Sequence, residues 1–137
     1  TAHRQGHLDP DDLSSLRQRY VSLAIYGSAK QANILFAQEA ARRWPDILST
    51  AYHPGVVRTR FGNDTAVIAA FYRYFPLLRT PAKGADTLVW LATTNTAELR
   101  NGAFYIDRRE RPPAARAADP ALAARLWDAS LAAVGRA

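Results

Sequence analysis

The sequence predicts an α/β fold with parallel strands, of which this chain supplies only a part. Three observations lead there. Helical stretches with apolar residues three to four apart alternate with short apolar runs of strand character. Those runs are bounded by Pro and Gly, as strands in such folds are. Only two runs have strand character, whereas a sheet covered by helices ordinarily has about four to six strands. With so few neighbours, the first run would keep an unpaired apolar edge. The pattern is that of the second half of a larger domain, so residues 1–137 are expected to form one partial domain.

In chain order, residues 1–19 are polar and turn-rich, with Asp9 placed to cap a short turn that has Pro10 at its first position. A long helix is expected from Val21 to Trp44, with Ile25, Ala29, Ala32, Leu35, Phe36 and Ala40 at helical spacing. Pro45 ends it, because the residue before a proline is pushed out of the helical region. Residues 47–52 (ILSTAY) form the first expected strand, and a loop follows from His53 to about Asn63. Residues 64–74 are apolar and aromatic and are expected to be helical, stopped by Pro76. Thr80 then caps a helix that has Pro81 at its first position and runs to about Thr93. Residues 102–107 (GAFYID) form the second expected strand, and 108–118 a Pro/Ala/Arg linker. Asp119-Pro120 opens a last amphipathic helix through Leu122, Leu126, Trp127, Leu131 and Val134, with Gly135 after it.

Composition narrows the function classes. The chain has no cysteine, which excludes a disulfide framework, a thiolate metal site and a cysteine nucleophile. Histidines stand only at 3, 7 and 53, so no dedicated zinc cage is expected. No apolar run approaches the ~18 residues of a membrane helix. The first ten residues are polar and unlike a signal peptide, so a cytoplasmic setting is expected. The net charge of +6 raises nucleic acid as a partner, but its distribution argues against one. All but two of the 18 basic residues are arginine, scattered singly or in pairs, and no nucleic-acid-binding signature is present. Arg108-Arg109-Glu110-Arg111 has the character of a solvated loop.

The chemistry concentrates in two places. Tyr26-Gly-Ser-Ala-Lys30 puts a phenol and an ammonium at i and i+4, on one face of the long helix. A free phenol has a pKa of about 10 and is a poor base near neutrality. A neighbouring ammonium favours the phenolate, and such a phenol can exchange a proton with an alcohol or carbonyl oxygen. Lys30 is one of only two lysines, and a lysine's three-hydrogen donor suits vicinal hydroxyls. A Tyr and a Lys at this spacing also meet by chance on many helices. The second place is His53-Pro54-Gly55-Val56-Val57-Arg58-Thr59, directly after the first strand. Ligands of parallel α/β sheets sit beyond the carboxyl ends of strands. Gly55 permits a close backbone approach, and Thr59 offers a hydroxyl, or else caps a plain strand-to-helix turn.

Together and in this order, Tyr26-Gly-Ser-Ala-Lys30-Gln-Ala-Asn33 and His53-Pro54-Gly55-Val56-Val57-Arg58-Thr59 resemble the short-chain dehydrogenase/reductase superfamily, whose signature is Tyr-x-x-x-Lys followed after the next strand by Pro-Gly-x-Val-x-Thr. Lys30-Gln-Ala-Asn33-Ile-Leu-Phe36, His53-Pro54-Gly55 and Ala124-Arg125-Leu126-Trp127 are similar to its retinol-dehydrogenase-like and WW-domain-oxidoreductase-like branch. The resemblance covers nearly the whole chain. It implies the C-terminal half of a Rossmann-type doubly wound parallel sheet, and hydride transfer between NADP or NAD and an alcohol or carbonyl substrate. By the same resemblance Tyr26 is the general acid/base, and Lys30 holds the nicotinamide ribose hydroxyls and favours the phenolate. Pro54, Gly55 and Val57 border the nicotinamide, and Thr59 meets its carboxamide or the pyrophosphate. Residues 64–76 correspond to a variable substrate lid, whose aromatics suit an apolar substrate or pack on their own core. Family dimers often pack through the helix that here carries Tyr26, which implies a possible homodimer.

The chain departs from the family in length and in what it lacks. No Gly-x-x-x-Gly-x-Gly or Gly-x-Gly-x-x-Gly occurs, and Asn33 is not the equivalent of the family's relay asparagine. The family's serine corresponds either to Ser14 or Ser15, which have loop character, or to a position just ahead of Thr1, because Ala2-His3-Arg4-Gln5-Gly6 resembles the stretch that follows a Ser-Ser pair in the closer branch. The second alignment is favoured. An isolated chain of this kind is expected to have negligible activity. The alternative is a non-catalytic half-domain that binds a protein partner.

Overall fold

The structure, a computed structural model, describes residues 2–17, 19–58 and 78–135. Among them are three α-helices: α1 (Ser22–Arg43), α2 (Pro81–Thr93) and α3 (Pro120–Ala133). Three short strands, β1 (Ala51–His53), β2 (Phe104–Ile106) and β3 (Arg109–Glu110), form one sheet in the order β1-β2-β3. β1 and β2 are parallel, with Ala51 opposite Phe104 and His53 opposite Ile106. β2 and β3 are antiparallel. The fold is α/β with a mixed sheet.

Local signals set the helix ends. α1 stops at Arg43, ahead of Trp44-Pro45, and the Trp44 amide donates to Ala40 O at 2.8 Å. Thr80 Oγ1 accepts from the Lys83 amide at the start of α2. Asp119 Oδ1 accepts from the Ala121 and Leu122 amides at the start of α3. Asp9 caps the Pro10–Asp12 turn through the Asp11 amide.

Alternation along the strands divides the core between the two faces of the sheet. Phe104 and Ile106 pack with Ile34 of α1, Ala51 and Ala117. Tyr105 and Tyr52 pack with Trp90 and Leu91 of α2, together with Leu99 and Ala103. α1 and α2 therefore cover opposite faces. α3 lies against α1, where Leu122, Ala123 and Leu126 meet Leu35 and Leu8. Leu35 is fully enclosed, and burying such a side chain contributes about 1.5–3 kcal/mol.

Several elements differ from the sequence expectation. The strand expected over 47–52 is shorter and displaced to Ala51–His53. Ahead of it the Asn101 side chain replaces backbone pairing: its Oδ1 accepts from the Ser49 amide at 2.8 Å and its Nδ2 donates to Ile47 O at 3.0 Å. The second strand occupies only Phe104–Ile106 of the expected 102–107. The region expected to be a linker contains β3 and a 3-10 turn at Ala115–Ala118. Its chain reverses at Asp107 and Arg108, both at positive φ (52° and 57°), which is the backbone of a tight two-residue hairpin. The apolar face of α1 also differs: Phe36 remains 44% exposed while stacking on Trp127, whereas the polar Gln31 and Glu39 are buried. Gln31 Oε1 accepts from the Leu8 amide, and Glu39 pairs with Arg43 Nε at 2.6 Å and Arg42 Nη1 at 3.0 Å. The helix expected over 64–74 lies outside the described residues.

Candidate functional site

The site begins with a contact between two backbones. Gly27 of α1 lies against residues 2–6: a Cβ at Gly27 would be 2.7 Å from Ala2 O, and one at Gly6 2.6 Å from the Gly27 carbonyl carbon. Ser28 Oγ accepts from the His7 amide at 3.0 Å, and Gln31 takes the Leu8 amide. The N-terminal segment is thus laid across α1 between Tyr26 and Lys30, and it brings Ala2 and His3 beside them.

A cavity of about 450 Å³ results, of a size that accommodates a small organic ligand. One wall is α1, with Tyr26, Lys30 and Asn33. The facing wall is β1 and the chain that leaves it, with His53, Pro54 and Gly55, so the cavity reaches the carboxyl end of a parallel strand. Lys30 Nζ lies 5.2 Å from the centre of the Tyr26 ring, within cation–π range. Tyr26 is 40% exposed, and both side chains are accessible to a ligand in the cavity.

Two histidines complete the walls. His3 is buried, stands edge-on to Phe104 with ring centroids 5.3 Å apart, and accepts at Nε2 from the Ala114 amide at 3.4 Å. Burial holds both the His3 and the His53 imidazoles below the ordinary histidine value of 6.5. Neither was among the site residues expected from the sequence. The available signal lies in the Ala2-His3 and His53-Pro54-Gly55 stretches, which place both histidines next to the motif residues.

Beyond β1 the chain turns sharply, and Gly55 has φ +82°, the left-handed region that favours glycine. The Arg79 side chain lies against it, so that a Cβ at Gly55 would be 2.5 Å from Arg79 Nε. Arg79 Nη1 and Nη2 donate to the two Asp107 carboxylate oxygens at 2.5 and 2.9 Å, and Nη1 also donates to Pro54 O at 3.4 Å. The guanidinium holds the Asp107 carboxyl below the usual carboxylate range.

The structure therefore brings Tyr26, Lys30, Pro54 and Gly55 to one cavity. Val57 is not on its wall. The Val57 side chain presses on α2, where a Cβ at Gly84 would be 2.5 Å from its Cγ2. Thr59 lies outside the described residues. Ser14 and Ser15 belong to the turn after Asp12 and are not on the wall either.

The cavity thus joins the tyrosine–lysine face of α1 to the carboxyl end of a parallel strand, where ligands of parallel α/β sheets sit. Comparison with known proteins finds several oxidoreductases. A Streptomyces sp. (strain C5) protein named as a daunorubicin C-13 ketoreductase is 56% identical over 134 residues, which are 98% of this chain and 46% of that protein. Human retinol dehydrogenase 14 is 34% identical over 140 residues, 97% of this chain and 41% of its own length. A crystal structure of an uncharacterised Mycobacterium paratuberculosis protein superposes with a TM-score of 0.69 at 26% identity, covering 96% of this chain and 46% of that one. No protein-family model matches. Over nearly its whole length the chain is similar to members of the short-chain dehydrogenase/reductase superfamily. It spans under half the length of the curated relatives it matches.

Proposed function

We propose that this chain carries the proton-transfer half of an NADP- or NAD-dependent oxidoreductase site that interconverts an alcohol and a carbonyl on an apolar substrate. The observation that carries the reading is the Lys30 ammonium 5.2 Å from the Tyr26 ring, in a cavity at the carboxyl end of β1. The residues present fit the nicotinamide–ribose end of such a cofactor: a flexible ammonium stands opposite a glycine turn, across a space of about 450 Å³. The sequence contains no glycine-rich turn for the pyrophosphate, so residues 1–137 are read as one partial domain with negligible activity by itself. When bound, the nicotinamide group supplies or accepts the hydride.

In the reducing direction the Tyr26 hydroxyl donates its proton to the substrate oxygen as that oxygen gains negative charge. The Lys30 ammonium stabilises the phenolate left behind and, having three hydrogens, also donates to vicinal ribose hydroxyls. Gly55 adopts the left-handed turn and leaves room for the Arg79 side chain beneath it, and the Pro54–Gly55 backbone is presented to the cofactor. We read the family's serine as lying ahead of Thr1, a reading supported by Ala2 and His3 on the cavity wall.

The test uses the full-length gene product. Tyr26→Phe should lower turnover by about 10²–10⁴-fold, the usual worth of a positioned acid–base group, with cofactor affinity unchanged. Lys30→Ala should weaken cofactor binding by about 10-fold or more, followed by nicotinamide fluorescence, because a charged hydrogen bond is worth about 1.5–3 kcal/mol. Unchanged turnover in Tyr26→Phe overturns the reading. A second reading, a protein-binding half-domain, is favoured by the exposed Leu16, Tyr20, Val21 and Leu23 just before and at the start of α1. It requires partner binding that survives Tyr26→Phe.

A further inference from the structure

We infer that the Arg79–Asp107 ion pair is a positioning clamp that fixes the Pro54–Gly55 backbone at the cavity. The consequence for cofactor affinity rests on the function proposed above; the clamp itself rests on geometry.

Arg79 holds the chain leaving β1 by its backbone and by its side chain. Its amide donates to Val56 O at 2.8 Å, its carbonyl accepts from the Arg58 amide at 2.9 Å, and it pairs with Val57 as a parallel bridge. Its guanidinium then runs back under Gly55, in the space a side chain there would fill, and reaches Pro54 O. A guanidinium in that position needs its fork occupied from the far side, and Asp107 supplies both oxygens.

Asp107 is well placed for this. His53 and Ile106 are register partners in the parallel pair, so Pro54 and Asp107 are the next residues at the ends of adjacent strands. The turn that carries Asp107 is pinned separately: Arg108 pairs with Asp86 through Nε at 2.9 Å, and its amide donates to Thr87 Oγ1 at 3.3 Å. α2 therefore anchors the hairpin turn, the turn presents Asp107, Asp107 aligns Arg79, and Arg79 seats the Pro54–Gly55 backbone. Neither Arg79 nor Asp107 is on the cavity wall, so both act through that backbone and are positioning residues.

The experiment compares Arg79→Lys, which keeps the charge and loses the fork, and Asp107→Asn, which keeps the shape and loses the charge, with Arg100→Lys. The last variant changes an ion pair of the same type, Arg100 with Glu110, on the same hairpin and away from the loop. Hydrogen exchange on the full-length protein reads the loop directly. The Arg58 and Arg79 amides should lose protection by about 10-fold in the first two variants and remain as in wild type in Arg100→Lys, the signature of a local opening. In the full-length protein the same two variants should raise the cofactor KM by about 10-fold and change kcat by less than about twofold, as expected for lost positioning without lost chemistry. The double variant should be no worse than the worse single one, because either change breaks the same contact.

Unchanged protection in Arg79→Lys overturns the clamp, as does an equal loss in Arg100→Lys. If the loop amides open and cofactor KM stays at the wild-type value, the clamp does not serve the cofactor and that part of the inference falls. A wild-type full-length protein without cofactor affinity overturns the functional reading instead, and the exchange result alone then decides the clamp.

Discussion

At the scale of single residues, the site depends on atoms that are missing as much as on those present. Gly6 and Gly27 touch because neither has a side chain, and the atoms a new Cβ would meet are backbone, which cannot swing away. Gly27→Ala should cost about 1–3 kcal/mol, the usual range for overpacking, read as a lower urea midpoint, and should shift His3 away from Tyr26. The two cavity histidines make stability depend on pH. Both have folded pKa values below the ordinary 6.5, so the unfolded chain takes up protons first. Their contribution is complete above that value and is lost as the pH falls through it towards the folded pKa values. The urea midpoint should therefore fall between about pH 7 and pH 5.5, and His3→Gln with His53→Gln should flatten that slope. The carboxylates held low by arginines, Asp86, Asp107 and Glu110, act in a separate and more acidic window.

At the scale of elements, helix ends carry local information and strand pairing does not. Asp119 satisfies two amides at the first turn of α3, so Asp119→Ala should cost about 1 kcal/mol and lower the thermal midpoint. This difference explains what was legible in the sequence. Thr80-Pro81, Asp119-Pro120 and Trp44-Pro45 mark the ends of α2, α3 and α1 because capping and proline sterics act within a few residues. β3 was hidden because Arg109 and Glu110 are exposed and charged, and because its turn uses Asp107-Arg108 in place of an Asn-Gly signal. The early part of the ILSTAY run has the composition of a strand but no strand partner among the described residues: the side chain of Asn101, distant in sequence, takes its backbone groups. The site was legible in the same uneven way. Tyr26 and Lys30 share a helix face by spacing alone, and Gly55 announces its own turn. Nothing in the sequence links Arg79 to Asp107, since that contact exists only once β1 and β2 are paired.

At the scale of the whole molecule, the described sheet has β1 at its edge and a stretch of apolar side chains outside the core. Leu16 is 85% exposed and Tyr20 78%, with Val21 and Leu23 next to them. Exposed apolar side chains close together in the sequence favour association. The 137-residue chain should self-associate with rising concentration in sedimentation velocity, and Leu16→Ser with Tyr20→Ser should return it towards the monomer. No helix of the described residues is long and apolar enough to cross a membrane.

The placement of the N-terminal segment also governs how the protein can be handled. Ala2 and His3 form part of the cavity wall, so a spectroscopic label on either residue would report on that space. A bulky label there would crowd the cavity. Gly135, just past α3, offers an attachment point off the cavity wall: among the described residues nothing lies within 4 Å of where a side chain there would begin.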